Sequence, residues 1–147
     1  MKDHRDVVII GAGAAGLTAG IVLTRAQADV LVIDDGKPRN AAAAHLHGFV
    51  SRDGAVPSEL LATGRQEVDR YGGEFTQARV IEATRDPEGS FAFTLVDGNL
   101  VRSRAVLVAT GLTDELPEIP GVRELWGSRS TIARTVMGTR CAAMTSS

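Results

Sequence analysis

The apolar positions of this chain first follow a strand and then a helix period. Val7-Val8-Ile9-Ile10 is an apolar, β-prone run and predicts a strand. From about Ala14 to Ala26, small and apolar residues at Ala15, Leu17, Ala19, Ile21, Val22 and Leu23 predict a helix able to lie close on a sheet. Ala28 to Ile33 predicts a second strand, so residues 6–35 read β-α-β. Asp35-Gly36-Lys37-Pro38-Arg39-Asn40 is turn chemistry, and Ala41 to Gly54 has no clear period. Pro57-Ser58-Glu59 opens a second helix, about Ser58 to Tyr71, with Leu60, Leu61, Val68 and Tyr71 as its apolar face. Gly72-Gly73 ends it. A β-meander follows. Phe75 to Ala83 is strand-like, Asp86 to Gly89 is a turn, Phe91 to Val96 is a strand, and Asp97-Gly98-Asn99 is a hairpin signal. Leu100 to Ala109 resumes the strand, and its continuously apolar end, Ala105 to Ala109, predicts a buried parallel strand.

Between the first strand and the first helix lies Gly11-Ala12-Gly13-Ala14-Ala15-Gly16, a G-x-G-x-x-G turn. Gly11 permits the tight turn out of the strand, Gly13 lets a pyrophosphate approach the backbone, and Gly16 lets the helix pack against the sheet. The phosphates then meet the free N–H groups and positive dipole end of that helix. The second strand ends at Asp34, close to the spacing of roughly 20 residues at which such sites carry an acid. A carboxylate there accepts hydrogen bonds from ribose hydroxyls and repels a 2′-phosphate, which favours FAD or NAD over NADP.

Composition narrows the class. A length of 147 residues fits one domain with a real core. The net charge of −2 provides no electrostatic footprint for nucleic acid or membrane, and aromatics at 4% leave few stacking platforms. No stretch approaches the roughly 20 apolar residues of a membrane span. The N-terminal Met-Lys-Asp-His-Arg-Asp leads into a short strand and does not read as a signal peptide. The single cysteine, Cys141, allows no internal disulfide and fits a reducing cytoplasm. No metal-ligating set is apparent.

Taken in order, a βαβ unit, a third βα unit, a meander and an apolar strand ending Ala109-Thr110-Gly111 resemble the FAD-binding domain of two-dinucleotide-binding flavoproteins. Among these the chain looks most like the thioredoxin reductase-like FAD/NAD(P)-dependent oxidoreductases. The likeness runs over about Asp6 to Arg129. It is carried by Asp6 to Gly16, the Asp34 to Asn40 turn, His45-Leu46-His47-Gly48-Phe49, and Ala109 to Gly121. The fold it implies is α/β: a Rossmann-like FAD-binding domain with a parallel sheet, a crossover β-meander and flanking helices. By the resemblance Gly11, Ala12, Gly13, Ala14, Ala15 and Gly16 hold the FAD pyrophosphate, and Asp34 the adenosine ribose. Asp35 belongs to the same cofactor-binding turn. Lys37, Arg39 and Asn40 lie along the cofactor, and His47-Gly48 lies near the flavin. Val80 contacts adenine through its backbone, and Ala109, Thr110 and Gly111 close the site. Read from the residues alone, Lys37 and Arg39 fit solvated turn charges equally well, and His45 and His47 fit loop histidines.

The same resemblance implies NAD(P)H-dependent, FAD-mediated reduction of a disulfide or related acceptor. This chain has no second G-x-G-x-x-G and no C-x-x-C, and disulfide reduction needs two thiols. No residue is therefore assigned a catalytic role. NADPH or NADH enters only in a longer relative, and the chain reads as a truncated FAD-binding part, inactive alone. Two alternatives stay open: a stand-alone FAD- or NAD-binding module, and a fragment of a flavin monooxygenase or oxidase. The domain is expected over residues 1–129, followed by an irregular tail at 130–147 with neither strand nor helix periodicity. One choice of synonymous codons for Thr131 to Ala142, read from the third base of the Thr131 codon, encodes His-Cys-Pro-Tyr-Cys-His-Gly-Tyr-Glu-Val-Arg. That is a redox segment of the family's type, so a shifted reading frame is expected in the tail. Apolar surface left uncovered around Leu116 to Trp126 is expected to drive dimerisation or aggregation.

Overall fold

The computed structural model describes residues 4–125, so Trp126, Cys141 and the 130–147 tail lie outside the described residues. The described residues divide into two compact units, 4–38 with 60–112, and 39–59 with 113–125.

The first unit holds six strands and the two long helices. These are β1 (Arg5–Ile10), α1 (Ala14–Arg25), β2 (Val30–Asp34), most of α2 (Pro57–Arg70), β3 (Glu74–Gln77), β4 (Val80–Arg85), β5 (Phe91–Leu95) and β6 (Leu100–Val108). The sheet order is β3-β2-β1-β6-β5-β4. β3, β2, β1 and the second half of β6 run parallel, while β4, β5 and the first half of β6 form an antiparallel meander. β6 is thus shared. Leu100–Ser103 pair with β5, and Ser103–Val108 pair with β1.

This sharing folds the meander over one face of the parallel strands. Val8, Leu31 and Ile33 pack with Phe93, Leu95 and Val101 of the meander in one buried cluster. On the other face Ile9, Val30 and Val32 pack with Leu17 of α1 and Val68 of α2. Alternate residues of β1 and β2 therefore serve opposite clusters, as the period of 2 requires, and both faces are covered, which is why these strands read as unbroken apolar runs. The two helices approach closely: a Cβ on Gly20 would lie 3.0 Å from Val68 Cγ2.

Two expectations change in detail. The stretch Phe75 to Ala83 is two strands. β3 pairs with β2, and the Ala78 N–H donates to the Asp34 carbonyl. At Arg79 the chain turns away, the Arg79 carbonyl accepts from the Val96 N–H, and Val80 pairs with Leu95. One β-prone run changes partners, with no Gly or Pro in the sequence to mark the change. The end of β6 is parallel as expected but not fully buried, because Leu107 and Val108 are exposed. The apolar clusters reach this strand only at Val101 and Val106, with Ala109 just beyond it.

The second unit contains a short 3₁₀ turn, Arg39–Ala42, and a short helix, α3 (Val122–Leu125). Its loop 46–55 is closed by the Leu46 N–H on the Ala55 carbonyl and the Gly54 N–H on the Leu46 carbonyl. Among the described residues no helix is long and apolar enough to cross a membrane.

Candidate functional site

The glycine turn lies where three strands end. The Gly11 N–H donates to the Ile33 carbonyl at 2.8 Å, and the Ala109 N–H donates to the Ile10 carbonyl at 2.8 Å. Gly11 has φ +105°, a conformation side chains rarely adopt, and a Cβ there would collide with the Ala109 carbonyl oxygen. A Cβ on Gly16 would collide with the Gly11 carbonyl oxygen. Both glycines are therefore required by the turn itself. Gly13 differs. It has ordinary extended backbone, and a Cβ there would meet nothing within 4 Å. The fold does not need a glycine at 13, so the open space beside it is available to a ligand.

Gly13 is also the N-cap of α1, and it makes no side-chain capping bond. No acidic residue occupies the first turn. Ala14 and Ala15 are exposed, and their side chains offer the helix end no acceptor. Orphan N–H donors and the positive dipole end thus face an open cradle, a ready site for an anion.

Asp34 ends β2 beside this turn. Its Oδ1 accepts the Ala12 N–H at 2.9 Å, which ties the acid to the glycine loop. Its Oδ2 accepts the Gly36 N–H at 3.2 Å and Arg65 Nη2 at 2.8 Å. Asp35 and Lys37 follow on the exposed turn, where the Asp35 carboxylate accepts the Lys37 N–H at 3.3 Å. Val80 is half-buried against the meander cluster and lies two residues beyond Ala78, whose N–H bonds Asp34. Ala109 is half-buried beside Gly11, while Thr110 and Gly111 are exposed, the latter with φ +68°. The structure thus brings Gly11 to Gly16, Asp34 and Ala109 together through direct contacts.

Four positions belong to the second unit. Arg39 makes a bidentate pair with Asp114, Nε to Oδ2 at 2.8 Å and Nη2 to Oδ1 at 2.7 Å. The bond to Arg39 holds the Asp114 carboxyl below its ordinary range, and the Asp114 carboxylate raises the Arg39 guanidinium. Asn40 accepts the Ala43 N–H through its carbonyl. His47 is exposed with Nδ1 3.7 Å from Asp53 Oδ1, the same oxygen that accepts the Gly48 N–H at 2.8 Å.

Sequence reasoning missed Arg65 and Asp114. Both act through side-chain pairing across long sequence separations, and neither belongs to a local motif. Among the described residues no group of His, Cys, Asp and Glu could hold a metal ion.

Known proteins resemble this chain in sequence and fold. The chain is 35% identical over 129 residues to the thioredoxin reductase tcpT of Claviceps purpurea, covering 83% of this chain and 39% of that protein. The crystal structure of HlmI superposes with TM-score 0.89 at 50% identity, covering 94% of this chain and 44% of that one. The oxidoreductase from Agrobacterium tumefaciens superposes with TM-score 0.80 at 40% identity, covering 85% of this chain and 42% of that one. The chain therefore spans about 40% of the length of its relatives. The six-stranded mixed sheet with its helices is the Rossmann-like FAD-binding fold of thioredoxin reductase structures. Residues 5–140 match the pyridine nucleotide-disulphide oxidoreductases, an FAD-dependent family, and the chain is a thioredoxin reductase-like member of it.

Proposed function

We propose that this chain binds FAD, with the pyrophosphate on the α1 N-terminus and the adenosine ribose on Asp34. The observation that carries the reading is the uncapped helix end facing open space at Gly13, with a fixed carboxylate beside it. The N–H groups of Ala14, Ala15 and Gly16 supply donors and partial positive charge to a diphosphate. The Ala12 N–H holds the Asp34 carboxylate beside the same loop, where it can accept from a ribose hydroxyl. Ala109 packs against Gly11 and supports the far wall of that loop. When bound, the flavin supplies hydride-transfer chemistry, and the protein's part is position and electrostatics.

The activity proposed for the whole protein is NAD(P)H-dependent reduction of a disulfide or related acceptor, in the cytoplasm. The activity rests on membership of the family and the relatives' names, and the cytoplasmic location on the single cysteine. The exposed Leu107, Val108 and Leu112 favour self-association of the chain.

Gly13→Val tests the reading. A Cβ at this position meets nothing within 4 Å, so the valine side chain extends into the open space proposed for the diphosphate. FAD binding, followed by flavin fluorescence, should be lost while the far-UV circular dichroism stays unchanged. Full affinity in the variant would place the diphosphate elsewhere.

A further inference from the structure

Asp34 carries more donors than a ribose leaves room for. An ionised carboxylate offers about four lone-pair sites. The Ala12 N–H takes one on Oδ1, and the Gly36 N–H and Arg65 Nη2 take two on Oδ2. A ribose that grips the carboxylate with both hydroxyls brings two more donors, so one present donor must leave.

The three donors differ in their freedom to go. Ala12 is buried in the glycine loop, and Gly36 is main chain in the turn that ends β2. Arg65 is a long side chain on α2, 42% exposed, against 18% for Asp34. In the same pose its guanidinium carbon lies 5.7 Å from the centroid of the Phe75 ring, a contact that does not depend on Asp34 and can keep the guanidinium once the carboxylate is taken.

Building on the FAD reading, we propose that Arg65 is a displaceable guard on Asp34. It holds Oδ2 in the free protein and is expelled by the adenosine ribose. Its displacement opposes only ligands that use the Asp34 carboxylate. Arg65 is thus a positioning and specificity residue that weakens the advantage of FAD over FMN, which lacks the adenosine ribose.

The test is a titration of the 147-residue chain with FAD and with FMN, in the wild type, Arg65→Ala, Asp34→Asn and the double variant, with melting curves for each. Arg65→Ala should tighten FAD about two- to fivefold, the range of an exposed ion pair, and leave FMN unchanged. In the Asp34→Asn background Arg65→Ala should have no effect. Unchanged or weakened FAD binding in a normally melting Arg65→Ala protein would overturn the guard. Equal weakening of FAD and FMN with a lowered melting temperature would mark a merely structural arginine and overturn it as well. Failure of the wild type to bind FAD would instead overturn the functional reading beneath it.

Discussion

Arg5 makes a sharp test of how the parallel strands are held in line. It opens β1 with no side-chain exposure, and its Nη1 meets Asp29 at 2.8 Å while Nη2 meets Glu74 at 2.6 Å. Asp29 directly precedes β2 and Glu74 opens β3, so one guanidinium joins the starts of three parallel strands. Glu74 is the main cause that pushes the arginine still further above its ordinary value. The pair is asymmetric. The carboxylates are 29% and 50% exposed and can rehydrate, but the guanidinium cannot, and its Nε already lacks a partner. Arg5→Met keeps the buried volume and removes the charge, so its cost should be about 0–2 kcal/mol. Asp29→Asn combined with Glu74→Gln strands a buried charge and should cost roughly 3–5 kcal/mol. Urea denaturation followed by circular dichroism measures both. A greater cost for Arg5→Met than for the double carboxamide variant would refute the reasoning.

Asp34→Ala should weaken FAD by roughly 1–3 kcal/mol, the scale of lost charge-assisted hydrogen bonds, as read by calorimetry; an unchanged Kd would remove Asp34 from the site. The depressed Asp114 carboxyl has a definite sign: its tie to Arg39 contributes fully above the ordinary carboxyl pKa and is lost as pH falls through the lowered one. A carbon-detected NMR titration should put the Asp114 midpoint below the usual value of about 3.9, and Arg39→Ala should return it there. The 147-residue chain, with one dinucleotide fingerprint and one cysteine, should not turn over NADPH with a disulfide acceptor. Sequencing the DNA through codon 131 and assaying a frame-restored protein checks the companion expectation, that a C-x-x-C and activity return together.

The strands and helices near the glycine turn were legible because local rules dictate them. The apolar runs of β1 and β2 follow from burial on both faces, and Gly11 follows from a backbone conformation other residues avoid. Gly16 was read as easing contact between helix and sheet. The structure adds a nearer reason, the Gly11 carbonyl against which any Cβ would collide. The split of Phe75 to Ala83 into two strands was not legible, since no Gly or Pro breaks the run and only the strand partners differ. The same limit hid Arg65 on Asp34 and Asp114 on Arg39, where the pairs join residues far apart in sequence. A charged residue on a helix face or in a turn looks solvated until its partner is placed.

The most direct measurement is the affinity of the 147-residue chain for FAD against FMN, titrated side by side through flavin fluorescence. If the helix end holds the diphosphate and Asp34 the ribose, FAD binds more tightly and FMN, with neither group, binds weakly. Equal affinity for the two flavins would contradict the account.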